Sequence, residues 1–531
     1  MKKPRSLGTG LLILCAAALS LGQEKTDLPM IMKIREEGLK RSQVMDIAWS
    51  MTDVLGPRLS NSPGYAEACR WAVGKFAQYG IQAELQEYGE VGPGWENEYT
   101  SVHMREPRYM PFIAYTKPYS RSTAGKIVGE AVMINTDELY GEEDLLKYRG
   151  RLKGRIICLK SERRLALNFQ PPASRLSRDE LDDMAELRIL DPRPGGKARA
   201  DDPSSGNQRD GKNPLPEKIW RAFFDREGVG ALMEPGSPQG NAPMDKGLVQ
   251  VIASRPPQAG EIRALPAVVV SVEQYNRVVR LLERGIPVKL EVETRVRWKE
   301  SDWPDLNVLA ELPGGDLKDE IVMIGGHYDS EPSGTGATDN AAGCAAVVEA
   351  MRILRTVGAR PRRTIRAALW GGEEIGHLGS KAYVKKYFGD PEAETRLPAY
   401  DKLSVYLNMD WYGRFRGIYL QGNDLARPIF EEWMKPFHDL GMTYLVPGNT
   451  GGTDHMSFVA VGLPGFQFIQ DDLEFFTTTF HTNMDVYDRL VPEDLMQAAV
   501  ILAGFAYNAA TRDEMIPRTP EQMENDRRWH K

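Results

Sequence analysis

At 531 residues the chain exceeds what one ordinary hydrophobic core organises, so two or more domains are expected. Its composition, 42% hydrophobic and 27% charged, is that of a globular protein. A formal net charge of −7, with lysine and arginine scattered rather than clustered, excludes nucleic acid or an anionic membrane surface as the main partner.

Residues 1–22, MKKPRSLGTGLLILCAAALSLG, have a cationic start, an apolar run and small residues at the end. That is the layout of a secretory signal, too short and wrongly flanked for a stable span, with cleavage expected near Gly22. Leu14 before Cys15 is bulkier than a lipoprotein site takes, so the expected product is a soluble exported protein, periplasmic or extracellular. No later apolar run reaches transmembrane length. Beyond the signal only Cys69, Cys158 and Cys344 remain, too distant from one another for a disulfide scaffold, and stability must come from packed cores.

Residues 23–115 open an α/β domain: VMDIAWSMTDVLGPRLS and GYAEACRWAVGKFAQYGI have helical periodicity, broken at Gly56-Pro57, and IQAELQEY alternates like a strand. From 116 to 298 the character changes to short β-rich or β-then-helix pieces, among them GKIVGEAVMIN, GRIICLK, VGALME and ALPAVVVSVEQYNRVVRLLERG. This stretch is expected to be an inserted β-rich domain. Within it, residues 177–218 are polar and rich in Pro, Gly and Asp, and are expected to form a long loop. From 299 to 531 the α/β pattern resumes. Apolar strands (IVMIGG, TIRAALWG, LSVYLNM) alternate with helices (AAGCAAVVEAMRILRTV, GSKAYVKKYF), and Cys344, Val348, Met351 and Leu354 form one core-facing stripe. The fold class is α/β, a mainly parallel sheet covered by helices.

Three successive strands of this last part end in titratable residues. IVMIGGHYDS delivers His327 and Asp329, with two glycines just before to clear space. RAALWGGEEIG delivers Glu373 and Glu374, and SVYLNMDWYG delivers Asp410. Ligands of open α/β sheets bind at the carboxyl ends of strands, so these side chains converge on one rim. Adjacent buried carboxylates need a cation or a shared proton. SGTGATDNAAG adds Asp339 at a helix start, and FHTNMDVYDRL adds His481 after a last buried strand, GFQFIQ. Two histidines with Asp339, Glu374 and Asp410 suit zinc. Five ligands are too many for one ion and fit two when one carboxylate bridges.

The motifs GGHYDS, GATDNAAG, WGGEEIGHLGS, NMD, GGTDHMSF and HTNMD, in that order, together with MTDVLGPRLSNSPG near the start, resemble the di-zinc exopeptidases. That family includes the bacterial leucine-type aminopeptidases and the glutamate carboxypeptidases, and the likeness is greatest to its exported branch with an inserted protease-associated domain. The resemblance implies two Zn²⁺ per subunit. His327 and Asp410 would hold one, Glu374 and His481 the other, and Asp339 would bridge them. It also implies that Asp329 orients His327, that Glu373 is the general acid/base acting on a water activated by both metals, and that the Asp339–Asn340 peptide is cis. Short peptides are the implied substrate, and a homodimer is compatible with it. Whether the amino or the carboxyl end is attacked is left open. Arg414, Arg416 and Tyr412 are candidates for holding a terminal carboxylate, and Trp411, Tyr412 and Phe415 for a specificity wall or for core.

Two rival classes share parts of this pattern. A glutaminyl cyclase-like transferase uses one zinc, and His327 supplies a ligand that only a second metal needs. A non-catalytic, receptor-like relative would have lost ligands, and none is lost here. Of the other histidines, His103, His438 and His530 read as surface. His377 reads as a residue supporting the site or a helix cap, and His455 leans towards a substrate pocket.

Overall fold

The computed structural model describes residues 24–165, 167–169, 171–186, 214–237, 244–254, 256–257, 264–299, 305–393 and 395–519. The expected signal, most of the polar segment 177–218, and His530 lie outside these residues.

The main sheet has eight strands: β1 (Gln82–Gly89), β2 (Asp305–Leu312), β3 (Leu317–His327), β4 (Arg363–Trp370), β5 (Leu403–Asn408), β6 (Phe415–Tyr419), β7 (Tyr444–Val446) and β8 (Gly465–Gln470). Their spatial order is β1-β2-β4-β3-β5-β8-β6-β7. The central four, β4, β3, β5 and β8, run parallel, while β1, β2 and β6 join through antiparallel pairings. The sheet is thus parallel where the titratable strand ends lie and mixed at its edges.

Helix Ala342–Thr356 carries the expected apolar stripe, yet every residue from Ala342 to Leu354 is buried. The carboxy-terminal helix Pro492–Thr511 and the amino-terminal helix Leu28–Lys40 pack over the side that a two-layer fold would leave wet. Burial of its polar positions is tolerated because they are paired: Arg352 donates to Glu349 Oε2 at 2.7 Å and to Glu37 Oε1 at 2.7 Å.

A second eight-stranded sheet uses Gly94–Glu106, Met110–Pro111, Ala114–Thr116, Ile127–Met133, Ile156–Cys158, Ala231–Pro235, Ala267–Val270 and Lys289–Lys299. Alternation sorts its core by face. Ile156 and Cys158 pack with Tyr275 and Val278, while Ile157 packs with Trp220 and Phe224. The strand Gly94–Glu106 means that this sheet begins upstream of residue 116.

The polar segment is not loop throughout. Ser177 caps a helix, Arg178–Ala185, through a reciprocal capping box with Glu180. Leu181 and Met184 of that helix pack against Tyr419, Val446 and Ile469 of the main sheet. Cys69, Cys158 and Cys344 are buried free thiols.

Candidate active site

The glycines ahead of His327 permit close approach to neighbouring strands. A Cβ at Gly325 would lie 2.6 Å from the Ala368 carbonyl oxygen, and one at Gly326 would lie 2.4 Å from that of Met409. β3 therefore packs tightly against β4 and β5, and His327 emerges level with Trp370 at their carboxyl ends.

His327 Nε2 lies 3.0 Å from Asp339 Oδ1 and 3.1 Å from Asp410 Oδ1. His481 Nε2 lies 3.2 Å from Asp339 Oδ2 and 3.1 Å from Glu374 Oε2. Asp339 thus offers one oxygen to each imidazole, between two clusters. Its turn, with a cis Asp339–Asn340 peptide, is held by Asp485, whose Oδ1 accepts the Thr338 N–H at 2.5 Å and whose Oδ2 accepts the Asp339 N–H at 3.2 Å. The Asp485 carboxyl is pushed up to about 7 by burial and by Asp339. HTNMD contained this residue, but a lone Asp four places after a histidine carries no signal for an amide-holding role.

The Asp329 carboxylate sits 3.8 Å from His327 Nδ1, beyond hydrogen-bond reach, whereas the Asp329 carbonyl oxygen lies 3.1 Å from that nitrogen. The carboxylate itself accepts the amides of Glu373 (3.1 Å) and Glu374 (3.3 Å) and the Ser60 hydroxyl (2.6 Å). Asp329 therefore fixes the turn that aims the two glutamates apart. Glu374 faces His481, while Glu373 Oε1 meets His377 Nε2 at 3.1 Å.

Electrostatically the rim is acidic. Burial, then Asp410 and Glu374, push the Glu373 carboxyl well above its usual range, partly offset by His327. Burial alone would depress His327 and His481, yet their facing carboxylates raise both. Asp339 is lowered against its own burial by the two imidazoles.

The donor set fits a divalent ion. Among the described residues no lysine or arginine pairs with Asp339, Glu374 or Asp410. Glu374 Oε1 is buried without a hydrogen-bond partner. Donor atoms 3.0–3.2 Å apart approach the edge of about 3.3 Å expected between ligands of one tetrahedral zinc.

A cleft of about 570 Å³ opens over this rim, lined by Asp339, Glu373, Glu374, Asp410, His377 and His481, the Thr450–Gly452 turn, and Trp411, Phe475, Phe476 and Phe480. Of the aromatics after Asp410, only Trp411 reaches it. Tyr412 is buried with its hydroxyl accepting the Glu474 N–H at 3.1 Å, and Phe415 stacks on Phe468 in the core. Arg414 and Arg416 are engaged elsewhere, with Asp494 (3.1 Å) and Asp471 (2.9 Å). His455 is buried behind the cleft, its Nε2 2.9 Å from Gln421 Nε2 and 3.0 Å from the Thr450 carbonyl, and burial lowers it to about 4. It braces the Thr450 turn instead of lining the pocket. His103 is half-buried and stacked on Tyr109, and His438 is exposed.

Comparison with known proteins bears on the same segment. Residues 307–506 match the model of Peptidase family M28. Carboxypeptidase Q of Mus musculus is 30% identical over 257 residues, 48% of this chain and 52% of that protein, so the chain spans about half the length of the curated relatives it matches. A peptidase M28 precursor from Shewanella amazonensis SB2B has a solved structure that superposes with a TM-score of 0.60 at 23% identity, covering 93% of this chain and 98% of that one. BSAP, described as a zinc aminopeptidase from Bacillus subtilis, superposes with a TM-score of 0.52 at 16% identity, covering 90% of this chain and 99% of its own. The matched segment, residues 307–506, contains His327, Asp339, Glu373, Glu374, Asp410 and His481, and is similar to peptidase family M28.

Proposed function

We propose that the chain is an exported zinc-dependent exopeptidase that removes amino-terminal residues from short peptides. His327, Asp339 and Asp410 would hold one Zn²⁺, and Asp339, Glu374 and His481 the other. The single observation that carries the amino-terminal choice is the lining of the cleft. Its described walls offer carboxylates and aromatic rings but no lysine or arginine. With Asp339, Glu374 and Asp410 given to zinc and Glu373 to proton transfer, the rest of the described lining still offers no lysine or arginine to fix a terminal carboxylate. Trp411, Phe475, Phe476 and Phe480 suit an apolar first side chain.

Bound zinc would supply Lewis-acid polarisation of the scissile carbonyl and a lowered water pKa. Glu373, buried at the cleft wall beside His377, takes the proton of the attacking water and returns it to the leaving amine. The backbone grip of Asp329 holds Glu373 in that direction. The second sheet is read as an inserted domain beside the cleft, because Ser174 pairs with Leu473 and Gln250 with Thr482 on the loop that carries the cleft aromatics. The described residues include no helix long and apolar enough to cross a membrane, and export rests on the amino-terminal pattern.

A second reading, attack from the carboxyl end, is favoured by the likeness to carboxypeptidase Q. A peptide panel blocked at one end or the other decides between them. Hydrolysis of carboxyl-amidated but not of amino-acetylated peptides is expected, and the reverse pattern overturns the amino-terminal assignment.

A further inference from the structure

Glu331 lies four residues past His327, within the loop 328–336 that leads to the Asp339 turn, and sequence reasoning gave it no role. Its side chain is buried, 5% exposed. One oxygen, Oε2, accepts the Ala253 N–H at 2.6 Å, and the other, Oε1, is buried with no hydrogen-bond partner. One ligand-type atom from each of Glu331, Glu374 and His481 fall within 4.8 Å of one another. Glu374 likewise keeps a buried oxygen without a partner. Two buried carboxylates with bare oxygens beside one imidazole, and no lysine or arginine paired to Glu331 among the described residues, leave a cation as the natural complement. Glu331 does not line the cleft.

We propose that Glu331 is a further protein donor to the ion held by Glu374 and His481, and that it couples retention of that ion to the segment 249–253 of the second-sheet region. That segment runs between the strands Ala231–Pro235 and Ala267–Val270 and is fastened to the His481 loop at several points. The Val251 N–H donates to the His481 carbonyl at 3.3 Å, Val249 N–H to Asn483 Oδ1 at 2.7 Å, and Gln250 Nε2 to the Phe480 carbonyl at 3.0 Å. Ala253 then holds Glu331 by the oxygen not needed for the ion, fixing the rotamer that presents the other. A metal ligand oriented by an outer hydrogen bond is a general arrangement, and losing such support typically weakens metal binding about 10–100-fold. The inference rests on the zinc reading of the rim.

The test uses the full chain loaded with zinc. Glu331→Gln keeps the bulk and an acceptor for the Ala253 amide but replaces the carboxylate by a poor ligand. Zinc content is measured after dialysis against graded free-zinc buffers, and the thermal midpoint is recorded with and without zinc. Two zincs are expected on the parent. In the variant one should dissociate at roughly 10–100-fold higher free zinc, with the zinc-dependent rise in midpoint reduced and the zinc-free midpoint preserved or raised. Glu331→Asp, which keeps the charge but withdraws the oxygen by one methylene, is expected to weaken the same ion and serves as the second variant if the first does not fold. Both zincs held at the parental free-zinc level in either folded variant would overturn the proposal and leave the zinc reading intact. A parent that takes up no zinc would overturn that reading itself.

Discussion

Arg58, within the GPRLS stretch near the amino terminus, is fully buried, has no carboxylate partner among the described residues, and directs its guanidinium at four carbonyls. Nε donates to Tyr328 (2.8 Å), Nη1 to Met51 (2.7 Å) and Thr335 (2.8 Å), and Nη2 to Gly336 (2.8 Å). Three of these acceptors lie on the loop 328–336 that joins His327 to the Asp339 turn, so one side chain from the first part of the chain sets the path between two rim residues. Replacing it with methionine keeps much of the stem's volume and removes every donor. Hydrogen bonds to a charged group contribute about 1.5–3 kcal/mol each, which for four sets a ceiling of roughly 6–12 kcal/mol. Releasing the guanidinium from burial returns several kcal/mol of desolvation, so a net loss of about 3–5 kcal/mol is expected. Arg58→Lys should recover little of it, because a point charge cannot reach four divergent oxygens. Urea unfolding of zinc-loaded and zinc-free protein measures the loss, and zinc content measures the loop. If Arg58→Met stays within about 1 kcal/mol of the parent and keeps both zincs, the strap argument fails.

Three more expectations follow from the rim and its surroundings. Glu373→Gln should keep both zincs and near-normal KM while kcat falls about 10²–10⁴-fold, whereas Glu374→Gln should lose one zinc, and kinetics beside metal analysis would expose a reversed assignment. Dialysis against a strong chelator should abolish turnover and lower the thermal midpoint, with zinc restoring both; full activity at near-zero metal content sinks the di-zinc reading. Burial raises Asp305 from 3.8 to about 7, although Tyr88 donates to it. Its native state holds the proton more tightly than the unfolded chain, so its contribution is complete below pH 3.8 and lost as pH rises through about 7. The parent should therefore lose about 3 kcal/mol more than Asp305→Asn between pH 5 and 8, and equal slopes in urea titrations would refute the assignment.

The strand ends were legible because a parallel sheet converts chain order into a shared rim: His327, Glu373 and Asp410 each follow an apolar run that could only be a buried strand. What escaped was set by distant segments. Arg414 and Arg416 are near Asp410 in sequence, but Asp494 and Asp471, which are not, decide where they point. Glu331 follows no ligand spacing, and its meaning depends on an amide 78 positions upstream. His455 reads as cleft from its motif and lies one layer behind, where Gln421 meets it. The helix Arg178–Ala185 was announced by Ser177 and Glu180, a local capping signal hidden by averaging composition over a long polar stretch.

The rim also explains why its parts must be assembled by several segments. Asp329, Glu331, Asp339, Glu373, Asp410, Asp454 and Asp485 are all buried, and Glu374 adds another carboxylate. Left to themselves these groups repel, and burying each charge is costly unless a partner offsets it. Those away from the imidazoles are accommodated individually. Asp329 takes two amides and a hydroxyl, Asp485 takes two amides, and Asp454 is raised to about 8 by burial and by Glu373. Among the described residues Asp339, Glu374 and Asp410 have no such relief beyond the imidazoles and the Trp411 amide, which bonds Asp410 at 2.7 Å. On the zinc reading, metal uptake and completion of this rim are one linked equilibrium. The segments that meet there, the Arg58 strap, the Asp485 clamp and the Ala253 contact, hold the backbone in place so that only the side chains need to answer to the ion.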